Sequence, residues 1–191
     1  MTLLKDQNDL LHDFTSRLER IGLSYMLTGS MALAHYAVPR STADIDIVIE
    51  IEPSLATRFE GEFGSDFYIP PTSMRSAIER RRMFNVLDQR TYLKIDCVVK
   101  KPDDFSRAAF SRKRRVLYVQ AFEVWIISKE DLIISKLNWA KESRSEKQMN
   151  DIASLIRNPF DENYVIDWTG KLGTEDLLKD CYAIVDNEIE D

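Results

Sequence analysis

Three aspartates lie inside apolar, β-branched stretches of this 191-residue chain, and they constrain its fold more strongly than any other feature. Asp44 and Asp46 belong to the run STADIDIVIE, and Asp96 belongs to the run YLKIDCVV. Successive residues of a strand face opposite sides of a sheet, so Asp44 and Asp46 share one face and the isoleucines around them share the other. Buried carboxylates are costly unless a cation or a metal ion compensates their charge. The pattern therefore predicts a β-sheet that carries an acidic site on one face.

A small-residue turn, Thr28-Gly29-Ser30, precedes the acidic strand and follows a short apolar stretch. A helix that opens at Gly29 would present free N–H groups and the positive end of its dipole to a phosphate. Mg²⁺ prefers hard oxygen ligands, and two such ions can clamp the attacking and leaving oxygens of an in-line displacement. The turn and the three aspartates together predict a Mg-nucleotide site, in which Asp96 completes the second metal or accepts a proton. A plain turn and an exposed acidic edge strand are the structural alternatives.

Hydrophobic periodicity divides the chain into an α/β part, residues 1–127, and a helical part, residues 128–191, that packs on it. The fold class is therefore α/β (α+β). Thr72 or Ser73 is predicted to cap a helix after a Pro-Pro loop, and Ser128 with Asp131 resembles a capping box. The predicted strands cover residues 24–28, 44–51, 83–87, 92–99, 114–119 and 123–127. The predicted helices cover residues 6–21, 31–36, 53–63, 72–82, a short segment after 102, a segment from 128, and residues 145–156, 161–170 and 174–187.

Composition excludes several classes of protein. With 44% hydrophobic residues, the chain can form a packed core and is not a disordered protein. No apolar stretch approaches the roughly 18 residues of a membrane helix, and the N-terminal sequence lacks the apolar core of a secretory signal. We therefore expect a cytoplasmic protein without a membrane partner. The two cysteines and two histidines are too few for a usual zinc site, and we expect buried thiols at Cys97 and Cys181.

The net charge of −6 is unevenly distributed along the chain. Between Met74 and Arg115, 13 Lys and Arg residues stand against 5 Asp and Glu residues, which gives this segment a charge of +8. Such a segment indicates a localised anionic partner, either a phosphate chain or a nucleic acid. A solvated basic face is the equally weighted alternative.

Five runs resemble the nucleotidyltransferases of the DNA polymerase β superfamily. TGSMALAHY, RSTADIDIVI and LKIDCVV are similar to the Gly-Ser turn, the Asp-x-Asp strand and the later Asp strand of that superfamily. The spacing and the Arg40-x-Thr42 lead-in most resemble a small bacterial branch that includes the AbiEii/MenT-type toxins. DLIISKLNWA and EKQMNDIASL are similar to later motifs of that branch, a Lys on one helix and an Asp on the next. The resemblance spans about residues 24–156 and implies a nucleotidyltransferase-like mixed β-sheet flanked by helices.

The resemblance also implies a role for each matching residue. The implied catalytic residues are Asp44, Asp46, Asp96, Lys136 and Asp151. The implied ligands of Mg²⁺, for which Mn²⁺ can substitute, are Asp44, Asp46 and Asp96. The implied nucleotide contacts are Gly29, Ser30, Arg40, Thr42 and Lys136. For Lys136 a surface lysine whose stem packs on the helix is the alternative, and for Asp151 a solvated helix residue is the alternative.

The implied reaction is Mg-dependent transfer of a nucleoside monophosphate from an NTP to an acceptor hydroxyl, with release of pyrophosphate. Acceptors compatible with the resemblance are a tRNA or other RNA end, a protein side chain and a small molecule such as an antibiotic, and the basic segment favours RNA. The resemblance further implies a toxin with an antitoxin protein as its partner. The alternative function is a non-catalytic module of the same fold that binds a nucleotide or a partner protein.

Overall fold

The computed structural model of the protein describes residues 6–143 and 145–190. Within these ranges the chain forms a mixed β-sheet flanked by α-helices, which confirms the predicted fold class. The strands are β1 Ser24–Thr28, β2 Asp44–Glu50, β3 Phe67–Tyr68, β4 Met83–Asp88, β5 Lys94–Val99, β6 Arg114–Tyr118 and β7 Phe122–Ile126. The α-helices are α1 Gln7–Arg20, α2 Gly29–Tyr36, α3 Ala56–Phe63, α4 Pro71–Glu79, α5 Asp104–Ser111, α6 Lys129–Ser143, α7 Glu146–Ile156, α8 Glu162–Leu172 and α9 Glu175–Glu190.

The order of the strands in the sheet, β3-β4-β5-β2-β1-β7-β6, places the two aspartate-bearing strands side by side. β2 runs parallel to β5 and antiparallel to β1, while β1 runs parallel to β7. β4 and β5 form an antiparallel hairpin, and β6 and β7 form a second antiparallel pair. The acidic strands therefore lie in the middle of the sheet rather than at an exposed edge.

Apolar packing holds the helices against the sheet. Ile45, Ile47 and Ile49 are fully buried, whereas the aspartates that alternate with the first two remain partly accessible. Phe14 of α1 packs against Phe63 of α3, with the ring centroids 4.6 Å apart. Cys97 and Cys181 are both buried and free, as predicted from their apolar settings. No helix of the described chain is both long enough and apolar enough to cross a membrane.

Ser128 and Asp131 pair at the start of α6 as the sequence predicts, although the Asp131 carboxylate bonds the Ser128 hydroxyl rather than its backbone N–H, and the pair forms part of a buried network. The Asp131 amide donates to the Ser128 hydroxyl at 3.2 Å, and that hydroxyl donates to the Asp131 carboxylate at 2.6 Å. Tyr164 of α8 and Arg112 donate to the same carboxylate at 2.8 and 3.1 Å. Because Asp131 is fully buried, this network fixes α6 relative to α8.

Two predicted details of the helices and strands are wrong. α4 begins at Pro71 and its N-cap is Pro70, without a side-chain cap from Thr72 or Ser73. Proline is favoured at the first helical position because its missing N–H would be unpaired there in any case. The short strand β3 was not predicted, because two residues carry too little periodicity to be recognised.

Candidate active site

The parallel pairing of β2 with β5 brings the three aspartates together. Asp46 is the direct register partner of Asp96, and Asp44 is the partner of Lys94. Register partners of a parallel pair lie on the same face of the sheet, so all four side chains share one face. The two strands thus place three carboxylates and one ammonium group close together on one face of the sheet.

Lys94 lies between two of these carboxylates. Its Nζ is 3.1 Å from Oδ2 of Asp96 and 3.4 Å from Oδ1 of Asp44. The other oxygen of Asp96, Oδ1, is buried and has no hydrogen-bond partner within the described chain. Burial, followed by the nearby charges of Asp96 and Asp44, raises the pKa of Asp46. The described residues include no group of three or more His, Cys, Asp or Glu side chains that is arranged to hold a metal ion as it stands.

Gly29 forms the turn between β1 and α2, and the position requires glycine for two reasons. Its φ of +65° lies in the left-handed region that residues with a Cβ rarely adopt. A Cβ at this position would also lie 1.9 Å from Oδ2 of Asp46. The Asp46 carboxylate is therefore packed against the start of α2, where free N–H groups and the helix dipole favour anions.

A buried ionic cluster joins this turn to the helical part of the chain. Asp151 of α7 accepts two hydrogen bonds from Arg40, at 2.7 and 2.8 Å, and one from Lys136 of α6 at 2.8 Å. Arg40 also donates to the Ser30 hydroxyl at 2.6 Å, and Lys136 donates to Gln148 at 3.2 Å. The structure thus brings Ser30, Arg40, Lys136 and Asp151 into one network beside the aspartates.

Hydrogen bonds stabilise the ionised form of Asp151 in this cluster. Burial alone would raise the pKa of Asp151, but the hydrogen bonds from Arg40 and Lys136 hold it below its ordinary value. Burial lowers the pKa of Lys136, and the hydrogen bond to Asp151 acts in the opposite direction. Asp151 is therefore a buried anchor for two cations rather than a solvated helix residue.

Thr42 contacts the backbone at the start of the acidic strand β2. Its hydroxyl donates to the backbone oxygen of Asp44 at 3.3 Å and accepts from the Asp44 amide at 3.4 Å. Like Arg40, it is not among the described residues that line the adjoining cleft. The contacts of Thr42 fix the start of β2, and its predicted contact with a nucleotide stays a prediction.

A cleft of about 780 Å³ opens between the sheet and helices α5, α6 and α8. Its lining includes Gly29, Ser30, Asp46 and Lys136, together with apolar residues of the central strands. It also includes aromatic and basic side chains, among them Phe105, Trp139, Trp168 and Lys171. Asp44 and Asp96 do not belong to the lining, although Asp96 is the register partner of Asp46. The cleft therefore has the size of a ligand site and combines polar, basic and aromatic side chains.

Searches with protein-family models and among curated proteins gave no match for this chain. Among solved structures, the chain is similar to the antibiotic-resistance factor ANT(2'')-Ia in complex with adenylyl-2''-tobramycin, with a TM-score of 0.60 and 13% identity over 88% of this chain and 97% of that one. It is also similar to the lincosamide antibiotic adenylyltransferase LnuA, with a TM-score of 0.52 and 14% identity over 79% and 96%. The chain has the nucleotidyltransferase fold.

A third similar structure is an antigenic nucleotidyltransferase-like protein from Paracoccidioides brasiliensis, with a TM-score of 0.54 and 16% identity over 90% of this chain and 89% of that one. The three similarities cover between 79% and 90% of this chain and between 89% and 97% of the matched chains. They do not separate the AbiEii/MenT-type branch from other branches, so that assignment, the toxin role and the antitoxin partner stay predictions.

Within this fold, most cations of the basic segment are paired with acidic side chains. Of the 13 Lys and Arg residues between 74 and 115, all within the described chain, eight form ion pairs. These eight are Arg75, Arg81, Arg90, Lys94, Lys100, Arg107, Arg112 and Arg115. A segment whose charges are mostly paired offers less attraction to an RNA backbone than its sequence indicates.

Sequence reasoning did not identify several residues of the cleft. Phe105, Gln148, Trp168 and Lys171 reach it through helix packing, for which the sequence carries no local signal. Lys94 is different, because it precedes Asp96 by two residues on the same strand. The alternation that placed Asp44 beside Asp46 also puts Lys94 on the face of Asp96.

Proposed function

We propose that this protein is a nucleotidyltransferase that moves a nucleoside monophosphate from a Mg-NTP to an acceptor hydroxyl and releases pyrophosphate. The observation that carries this proposal is the in-register pairing of Asp46 with Asp96 directly beside the Gly29 turn. A fold shared with an antibiotic adenylyltransferase supports it. In this reaction the acceptor oxygen forms a bond to the α-phosphorus. The bond from the α-phosphorus to the oxygen that it shares with the β-phosphorus breaks, and pyrophosphate leaves.

The triphosphate is assigned to the end of the cleft at which α2 begins. The N–H groups after Gly29 would donate to its oxygens, and the Ser30 hydroxyl would join them. Lys136 lines the same cleft, and its ammonium group is held in place by Asp151. Arg40, fixed by the same carboxylate, brings a second cation to Ser30. These groups neutralise the negative charge that develops on the departing pyrophosphate.

Asp44, Asp46 and Asp96 would hold Mg²⁺, or Mn²⁺ in its place. Carboxylate oxygens are the donors that Mg²⁺ prefers, and the buried, unpartnered Oδ1 of Asp96 fits a missing cation. When bound, the metal supplies charge neutralisation to the triphosphate and lowers the pKa of the attacking hydroxyl. Asp96 does not line the cleft, and we assign it to the acceptor hydroxyl, whose proton it can accept.

The nucleoside is assigned to the cleft itself. Trp139 is 66% exposed and lines the cleft together with apolar residues of the central strands. These residues offer a surface on which a base can stack. The acceptor must then approach the α-phosphorus from the side of Asp44 and Asp96, outside the cleft. Because the basic segment is mostly ion-paired, we favour a small hydroxylated molecule over RNA as the acceptor.

Labelled NTPs test the proposal when they are incubated with Mg²⁺, the full chain and two separate acceptor pools, total RNA and a library of hydroxylated small molecules. We expect pyrophosphate release and label transfer to the small-molecule pool. Asp46→Asn should abolish both, while Asp180→Asn, a matched change at an exposed residue of α9, should abolish neither. Transfer to RNA alone would overturn the acceptor class. NTP binding without turnover on either pool would instead support the non-catalytic module.

A further inference from the structure

Lys94 occupies the position that a cation would take between two of the proposed metal ligands. It is the register partner of Asp44 on the neighbouring strand, and its ammonium group contacts both Asp44 and Asp96. The side chain of Lys94 is 37% exposed and that of Asp44 is 43% exposed, whereas that of Asp96 is only 11% exposed. The ammonium group therefore stands at the open edge of the acidic site with a path to solvent.

Three carboxylates on adjacent strand positions repel one another unless a positive charge lies among them. Within the described chain, Lys94 is the residue whose ammonium group is in ion-pairing contact with Asp44 and with Asp96. A single ammonium group cannot satisfy all the oxygens, and Oδ1 of Asp96 is left buried without a partner. The negative charge of the site is thus neutralised only in part, and one carboxylate oxygen has no hydrogen-bond donor.

We propose that Lys94 is a built-in counter-cation that competes with the divalent ion for Asp44 and Asp96. This inference rests on the proposed metal site. A lysine carries its charge on a flexible four-carbon stem, so the ammonium group can leave the carboxylates without a change in the backbone. With Lys94 in place the metal-free protein is stable, and the affinity for the free metal is lowered.

The proposal predicts opposite effects of one substitution on two measurable quantities. Lys94→Met removes the competing charge and keeps the length of the side chain, so the affinity for Mn²⁺ should rise about tenfold, a modest effect for a charge within 4 Å of the ligands. The same variant leaves the three carboxylates without a counter-charge, so its melting temperature in EDTA should fall. Lys94→Arg keeps the charge and should resemble the wild type in both respects.

Mn²⁺ titration by isothermal calorimetry, together with thermal unfolding in EDTA and in Mn²⁺, tests the proposal on the full chain without any turnover. Lys179→Met, which removes an exposed, ion-paired lysine of α9, controls for the loss of one positive charge. We expect tighter Mn²⁺ binding and a lower melting temperature in EDTA only for Lys94→Met, with Mn²⁺ reversing the loss of stability.

Three results would overturn the proposal in whole or in part, and together they separate it from the proposed function. Equal or weaker Mn²⁺ binding by Lys94→Met, with binding by the wild type, would refute the role of Lys94 and leave the metal site standing. Absence of Mn²⁺ binding in every variant would refute the metal site and the competition together. An unchanged melting temperature of Lys94→Met in EDTA would refute the counter-charge role in either case.

Discussion

Replacing Asp151 by alanine should destabilise the protein strongly, because it leaves two cations without their partner. The side chains of Asp151 and Lys136 are only 4% and 7% exposed, and that of Arg40 is 25% exposed. Removing one partner of a buried ion pair costs about 3–5 kcal/mol, since the remaining charge is left without compensation. For a chain of this size, a loss of that order lowers the melting temperature by roughly 6 °C or more.

Urea unfolding, followed by the fluorescence of the three tryptophans, measures the free energy of unfolding of each variant. Lys136→Met alone should cost less than Asp151→Ala, because Asp151 keeps its two hydrogen bonds from Arg40. The double variant should lose less stability than the sum of the single changes, since the orphaned ammonium group is gone. A free energy of unfolding of Asp151→Ala within about 1 kcal/mol of the wild type would refute the buried-anchor account.

Three further predictions concern the turn, the carboxylates and the cleft. Gly29→Ala should lower the melting temperature and weaken NTP binding, whereas Gly61→Ala, on a helix with open space around it, should stabilise the protein by about 0.5–1 kcal/mol. Asp46→Asn should abolish transfer yet raise the melting temperature in EDTA. The pKa of Asp46 is raised above 3.8 in the folded protein, so its protonated carboxyl contributes stability below that pH, and this contribution is lost as the pH rises through the raised value. The higher melting temperature of Asp46→Asn should therefore be seen at neutral pH and vanish in acid. Trp139→Ala should weaken NTP binding about tenfold in a direct titration while leaving the melting temperature nearly unchanged, because the residue is 66% exposed.

Much of the fold was predictable because local sequence patterns indicate it. The alternation around Asp44 and Asp46 defined β2, and Gly29 marked the start of α2. The pairing partner of β2 was not predictable, since strand order depends on packing over distances that no local pattern encodes. The register of Asp46 with Asp96 is therefore a finding of the structure.

The ionic partners of the site were the least predictable feature. Sequence reasoning placed Lys136 and Asp151 near the nucleotide through a resemblance, but it could not show that Asp151 anchors both Lys136 and Arg40. It also took the basic segment to favour an RNA acceptor, because the acids that pair with it come from elements distant in the chain. The charge of a segment indicates a partner of opposite charge. Only the folded structure shows whether acidic residues of the same chain already fill that role.

The most direct test of the acidic site is the anomalous scattering of Mn²⁺ in crystals grown with a non-hydrolysable NTP. The account predicts a manganese peak within coordination distance of carboxylate oxygens from Asp44 and Asp46, with the triphosphate at the amides after Gly29 and the ammonium group of Lys94 withdrawn. A triphosphate bound elsewhere, or a metal that avoids both aspartates, would contradict it.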